Sequence, residues 1–71
     1  RSQEDGKIII DIIVDKNGNV VRADGPGRGT TLNNATLLRK CKEAAYKAKF
    51  SSSPAGVEEQ KGSITFNFIL R

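Results

Sequence analysis

The side chains of this chain that could do chemistry are one thiol and a scattering of carboxylates, with no histidine. Asp11, Asp15 and Asp24 are spaced as parts of a predicted β-hairpin rather than as the walls of a cleft. General acid–base catalysis needs titratable groups held around a substrate, and a triad needs a base beside its nucleophile. We therefore predict that the protein is not an enzyme.

The single cysteine, Cys41, cannot form an intrachain disulfide, and without histidine a zinc site is not expected. Its neighbours Leu37, Leu38, Ala44 and Ala45 are apolar and recur at helical spacing. A cysteine in such surroundings behaves as a small hydrophobic residue. We predict that Cys41 packs in the core and that the chain binds neither a metal nor a cofactor.

A glycine-rich segment from Gly25 to Thr31 lies between a predicted strand and a predicted helix, where phosphate-binding loops occur. It lacks the lysine of a Walker motif, and the chain is too short for a nucleotide-binding fold. We interpret it as a loop without a ligand. The sequence Asn34-Ala35-Thr36 fits an N-glycosylation sequon, but its position at a helix start favours a capping role.

Composition limits the remaining classes of function. The 71 residues make one small domain, of which 28% are charged and 37% hydrophobic, and no apolar run approaches the length of a membrane span. The net charge is +4, but the basic residues are spread from Lys7 to Arg71 without a dense cluster. We predict that nucleic acid is not a partner. The first residue is Arg1 rather than methionine, and we expect a piece of a longer protein.

The elements that must position any site begin with a hairpin. Residues 8–14 are β-branched and apolar except for Asp11, whose charge indicates the solvent face. The inward residues are then Ile8, Ile10, Ile12 and Val14. Asn17-Gly18 supplies the turn.

Two loop lengths are open for this hairpin. A two-residue loop places Val21 opposite Val14, Ala23 opposite Ile12 and Asp24 opposite Asp11. A three-residue loop, Lys16 to Gly18, with a bulge would place Arg22 opposite Ile12 instead. We favour the shorter loop because it pairs apolar residues on the core face.

A helix is predicted from an N-cap at Asn33 or Asn34 to about Lys49. Its apolar stripe comprises Leu37, Leu38, Cys41, Ala44, Ala45 and Ala48. A last strand from Ser63 to Leu70 alternates, with one face formed by Ile64, Phe66, Phe68 and Leu70 and the other by Thr65, Asn67 and Ile69.

These elements predict an α+β domain of order β-β-α-β. The first strand is the most apolar and should be central, and a right-handed crossover places the third strand on its far side. We expect a three-stranded antiparallel sheet of order 2-1-3 with one helix on one face. The third strand is then an edge, and Ile9, Ile13 and Ile69 lie on the face away from the helix. The predicted core is Ile8, Ile10, Ile12, Val14, Val21, Leu37, Leu38, Cys41, Ala45, Phe66 and Phe68.

Several segments in this order resemble the C-terminal domain of the TonB energy-transducer family. They are Gly6 with the strand that follows, the turn Val14-Asp-Lys-Asn-Gly-Asn-Val20, the helix ending in Lys49-Phe50, and Gly62-Ser-Ile-Thr-Phe-Asn-Phe68. The glycine-rich loop, the Ala44-to-Phe50 helix end and Gln60-Lys61 before the last strand look like a divergent subgroup. The Tyr-Pro element and the proline-rich spacer usual in the family are not in this sequence.

The resemblance implies a periplasmic domain of a protein anchored in the inner membrane, coupled to a proton-driven motor of the ExbB/ExbD type through a region before this chain. It implies that the last strand captures the TonB-box peptide of an outer-membrane transporter by strand addition, and so supports nutrient uptake. The partner-binding residues would be Ile64, Thr65, Phe66, Asn67, Phe68, Ile69 and Leu70. The alternative is a structural module that self-associates, as a homodimer, through its sheet edge or its isoleucine face.

Overall fold

The structure, a computed structural model, describes residues 5–52 and 58–69. Its elements in chain order are β1 (Gly6–Asp15), β2 (Val20–Asp24), α1 (Ala35–Lys47) and β3 (Glu59–Phe68). The three strands form one sheet of order β2-β1-β3, and both pairings are antiparallel. This confirms the predicted α+β fold and the predicted sheet order.

The central strand supplies most of the core. Side chains alternate across a strand, so one face of β1 turns toward the helix. Ile8 and Ile10 are completely buried, and Ile12 and Val14 are nearly so. The inward face of β1 is therefore the one predicted.

The hairpin turn differs from the favoured two-residue loop. The Asp15 N–H donates to the Asn19 carbonyl at 2.8 Å, and the Gly18 N–H donates to the Asp15 carbonyl at 3.0 Å. Three residues, Lys16 to Gly18, lie between the closing pair, and Gly18 adopts a left-handed φ of 87°. The Asp15 carboxylate also accepts from the N–H groups of Asn17 and Asn19, both at 2.9 Å, which stabilises this turn.

A bulge in β2 then restores the pairing that the shorter loop would have produced. Val20 lies opposite Val14, the register shifts by one residue, and Ala23 still lies opposite Ile12. The predicted Asp11–Asp24 pair is also present, and Arg22 Nε donates to Asp24 Oδ2 at 2.7 Å. Because a bulge adds one residue to one strand, it cancels the extra residue of the loop.

The bulge corrects one predicted core residue. Val21, expected in the core, is 48% exposed, whereas Val20 and Ala23 are buried. With the extra residue at this point, Val20 and Ala23 share the inward face although they are three positions apart. The prediction for Val21 was therefore wrong because it followed from the wrong loop length.

The helix begins one residue after its N-cap, Asn34, whose Oδ1 accepts from the Leu37 N–H at 3.0 Å. Cys41 and Ala45 are buried, and Leu37, Leu38 and Ala48 pack partly against the core. Ala44, expected on the apolar stripe, is exposed. The helix packs over β2 and β1, so the buried stripe is narrower than the predicted one.

The hairpin turn is also tied to the chain that follows the helix. The Phe50 N–H donates to the Gly18 carbonyl at 2.9 Å, and Lys49 Nζ donates to Asn19 Oδ1 at 2.6 Å. A Cβ at Gly18 would lie 1.9 Å from the Phe50 carbonyl oxygen, so only glycine permits this approach. The contact fixes Phe50 near the end of the sheet where β3 begins.

Candidate functional site

The two edges of β1 are covered differently, and this difference defines the candidate site. On one side, β2 pairs with residues from Asp11 to Val14, and the glycine-rich loop continues toward Lys7. The Gly27 N–H donates to the Ile9 carbonyl at 2.7 Å, and the Ile9 N–H donates to Thr30 Oγ1 at 2.9 Å. The loop therefore takes the place of a longer second strand.

Lys7 is bonded by the same loop. Its N–H donates to Thr31 Oγ1 at 2.9 Å, and its carbonyl accepts from the N–H groups of Thr31 and Leu32 at 2.9 and 3.2 Å. Within the described chain, the loop thus uses N–H and hydroxyl groups to complete a sheet edge, a role that sequence reasoning did not foresee. The signal was the Thr30-Thr31 pair, whose hydroxyls can accept from a strand.

On the other side, β3 pairs with β1 along all ten of its residues, from Glu59 opposite Asp15 to Phe68 opposite Gly6. The strand begins at Glu59 rather than at the predicted Ser63. Residues 59–62 are polar or glycine, and their strand conformation depends on pairing with the long β1 rather than on their own propensity. No further strand lies beyond β3 in the part of the chain that the structure describes.

The direction of the β3 backbone groups follows from the register. The backbone N–H and C=O groups of Lys7 and Ile9 bond to the loop. Because these groups alternate in direction along a strand, those of Ile8 and Ile10 point toward β3. The backbone groups of their partners, Phe66 and Ile64, therefore point toward β1. The backbone N–H and C=O groups of the odd-numbered residues from 59 to 67 therefore point away from β1. None of them has a hydrogen-bond partner among the described residues.

The predicted partner-binding side chains divide between the two faces of β3. Ile64, Phe66 and Phe68 are half-buried against the core, while Thr65, Asn67 and Ile69 are exposed, Ile69 at 64%. Leu70, the last predicted site residue, lies outside the described residues. Because α1 sits over β2 and β1, these three inward side chains border an open strip of the sheet.

A cleft continues that strip toward the start of β3. It has a volume of about 170 Å³ and is lined by Ile12, Val14, Phe50, Ser51 and residues 60–63. The floor is formed by nearly buried aliphatic side chains, and the Phe50 side wall is 42% exposed. Sequence reasoning did not include this cleft in the site, because Phe50 and Gly62 meet only through the fold.

The face of the sheet away from the helix is less open than the sequence indicated. Ile9 is half-buried, since positions for a Cβ on Gly27 and Gly29 lie 3.1 and 2.9 Å from its side chain. Ile13 is also half-buried. Only Ile69 of the three isoleucines is largely exposed.

The titratable groups with shifted pKa values are buried or hydrogen-bonded within the fold. Burial raises the pKa of the Cys41 thiol, which favours its protonated, unreactive form. The N–H of Asn19, with that of Asn17, holds the pKa of Asp15 below its usual value. Asp24 pairs with Arg22, and this contact raises the pKa of the guanidinium. Within residues 5–52 and 58–69, no group of three or more acidic, histidine or cysteine side chains could hold a metal ion.

None of the helices that can be described is long and apolar enough to cross a membrane. A comparison of the chain with protein-family models, curated proteins and solved structures finds no match in any of the three.

Proposed function

We propose that this domain binds an extended peptide by adding it as a fourth strand beside β3. The observation that carries the proposal is the ten-residue edge whose odd-numbered backbone groups point outward without partners in the described chain. An extended peptide satisfies such a row with its own N–H and C=O groups, which gives an affinity largely independent of sequence. The resemblance to the TonB C-terminal domain suggests the TonB box of an outer-membrane transporter as the peptide.

In this proposal the domain is an adaptor rather than an enzyme. It would lie in the periplasm, tethered to the inner membrane and its proton-driven motor through a region before this chain. Pulling on β3 would be resisted by its pairing with β1, which is the longest ladder of the sheet. A captured peptide would thus be joined to the most extensively paired part of the fold.

Self-association through the same edge is the second candidate function. The open β3 edge favours it as well, because a second copy of β3 can supply the same backbone groups. The isoleucine face is the weaker basis, since Ile9 and Ile13 are half-covered.

Proline substitutions at neighbouring positions test the edge directly. The Asn67 N–H points away from β1, so Asn67→Pro should leave the fold intact while removing one protein N–H that would donate to a carbonyl of the bound peptide. Phe66 N–H points toward Ile8, so the matched Phe66→Pro variant should break the ladder and unfold much of the domain. Circular dichroism melts separate the two outcomes.

Binding is then measured by titrating ¹⁵N-labelled protein with a TonB-box peptide and following the amide shifts. We expect shifts along residues 59–69 in the parent and a loss of affinity in Asn67→Pro. Shifts confined to α1 or to Lys16 to Val20 would contradict strand addition. A concentration-dependent dimer that Asn67→Pro dissociates, with no response to peptide, would favour self-association.

A further inference from the structure

One glycine is not required by any contact or backbone angle among the residues that the structure describes. Two glycines adopt left-handed φ values, and at four positions a Cβ would come closer than 3.0 Å to another part of the chain. A fifth, at position 27, would place a Cβ 3.0 Å from the Ile9 carbonyl oxygen. The glycines that these contacts or angles explain are Gly6, Gly18, Gly25, Gly27 and Gly29.

Gly62 is different. It lies within β3, its φ is not left-handed, and a Cβ there would meet only Ile12 Cγ1 at 3.8 Å, an ordinary contact. Glycine weakens a strand, because it has no side chain to pack and loses more backbone freedom on folding. A glycine in a strand interior often marks a bulge, a bend, or the close approach of a ligand or another backbone, and β3 pairs with β1 at Gly62 without a bulge.

The position of Gly62 gives that approach a direction. Gly62 pairs with Ile12 and lies on the helix side of the sheet, between Gln60 and Ile64. Its missing side chain opens the 170 Å³ cleft toward Ile12, Val14 and the ring of Phe50. We call this space the Gly62 notch.

We propose that the Gly62 notch receives one large apolar side chain, aromatic or leucine, from the extended segment that pairs with β3. This inference rests on the proposed strand addition and specifies the partner. Whichever way the added strand runs, its residue beside Gly62 turns its side chain to the same face as the notch. Because Gly62 presents no side chain, that residue can lean across it onto Ile12, as aromatic side chains do over strand glycines.

The neighbouring positions define the rest of the partner. The next inward residue of the added strand lies beside the half-buried Ile64, and the outward residues lie beside Lys61 and Ser63, both exposed. The preferred segment therefore alternates, with apolar side chains toward the helix and polar ones away. The residue at the notch is the one whose size matters most.

The test uses two synthetic ten-residue peptides of alternating Ser and Thr, identical except for a central Phe or Ala. We expect the Phe peptide to bind the parent protein roughly five- to tenfold more tightly, as expected for burial of one aromatic side chain beside a strand. Intermolecular NOEs should join its ring to the Ile12 methyl groups and to the Gly62 Hα. These ring contacts measure directly which residue of the peptide lies beside Gly62 in the added strand.

Variant proteins separate the notch from the edge. Gly62→Val fills the notch with a strand-favouring residue and should abolish the advantage of the Phe peptide, so that the two peptides bind this variant with equal affinity. The matched Ser63→Val variant alters the opposite face and should keep that advantage.

Equal affinity of both peptides, with shifts along residues 61–67, would overturn the notch and leave strand addition standing. NOEs from the ring to other residues would overturn it as well. If neither peptide shifts the β3 amides, strand addition itself fails and the notch with it.

Discussion

The strands on either side of β1 present contrasting edges. β2 has five residues, carries a bulge and an Arg22–Asp24 ion pair, and is continued by the glycine-rich loop. β3 has ten residues in uninterrupted register with β1, and the helix leaves its inward face half-exposed. Short, bulged and charged edges resist the addition of another strand, whereas long regular ones accept it.

This comparison shows that the fold protects one edge and leaves the other available. The loop from Gly27 to Leu32 bonds to β1 directly, so a peptide cannot reach the N–H groups of Lys7 and Ile9. The same backbone alternation leaves the outward groups of β3 without partners in the described residues. β3 is therefore the longest regular edge that the sheet presents.

The largest expected effect contrasts two isoleucines that pair across β1 and β3. Ile10 is completely buried and Ile64 is half-buried. Ile10→Ala should cost ~2–5 kcal/mol of unfolding free energy, and Ile64→Ala about half as much, because less apolar area is lost. Urea melts measure both. Equal costs would mean that the inward face of β3 is as fully covered as that of β1.

Glycine-to-alanine substitutions on the two edges should have opposite signs. A Cβ on Gly27 would lie 3.0 Å from the Ile9 carbonyl oxygen and 3.1 Å from Asp11 Oδ2. Gly27→Ala should therefore destabilise by ~1–3 kcal/mol through overpacking. At Gly62 a Cβ would make only an ordinary contact, with Ile12 Cγ1 at 3.8 Å, so Gly62→Ala should stabilise by about 0.5 kcal/mol. Thermal melts that move in the same direction for both variants would contradict the contrast.

The hydroxyl of Thr30 tests the loop as a covering for β1. Thr30→Val removes the acceptor for the half-buried Ile9 N–H and should cost about 1 kcal/mol. Thr65→Val, on the exposed face of β3, is the control and should change the stability by less than about 0.5 kcal/mol. Faster hydrogen exchange of the Ile9 amide in Thr30→Val is the specific readout. An unchanged exchange rate would show that another acceptor replaces the hydroxyl.

The smallest effect concerns the pH dependence contributed by the turn. The folded pKa of Asp15 is lowered, chiefly by the Asn19 N–H, so its stabilising contribution is present above the ordinary carboxyl pKa of 3.8 and is lost as the pH falls through the folded pKa. Asp15→Asn keeps an acceptor oxygen but does not titrate. Urea melts between about pH 2 and pH 5 measure the free energy of unfolding. As the pH is lowered, this free energy should fall less steeply for the variant than for the parent. Parallel curves would indicate that Asp15 does not couple the turn to folding.

Much of the fold could be predicted because it depends on short-range patterns. The alternation in β1 and β3 identified the inward faces, Asn34 was one of two predicted caps, and the apolar character of β1 indicated its central place. The open edge at β3 followed from this order. These features depend on residues within a few positions of one another, where propensity and periodicity are informative.

The register of the β1–β2 hairpin could not be predicted from such local patterns. Whether Val20 or Val21 enters the core depends on the loop length and the bulge together, and each alone would reverse the faces. The Asp15 carboxylate favours the three-residue turn locally, but the bulge is advantageous only because Ala23 and Val20 then pack on the core.

The sequence by itself therefore determined the identity and order of the elements, the inward faces of β1 and β3 and the presence of an open edge, since side-chain periodicity carries that information. Only the tertiary structure decided that the glycine-rich loop covers one side of β1, that β3 begins at Glu59, and that Phe50 and Gly62 meet around Ile12. These depend on contacts between residues distant in the chain, whose distances no local pattern records.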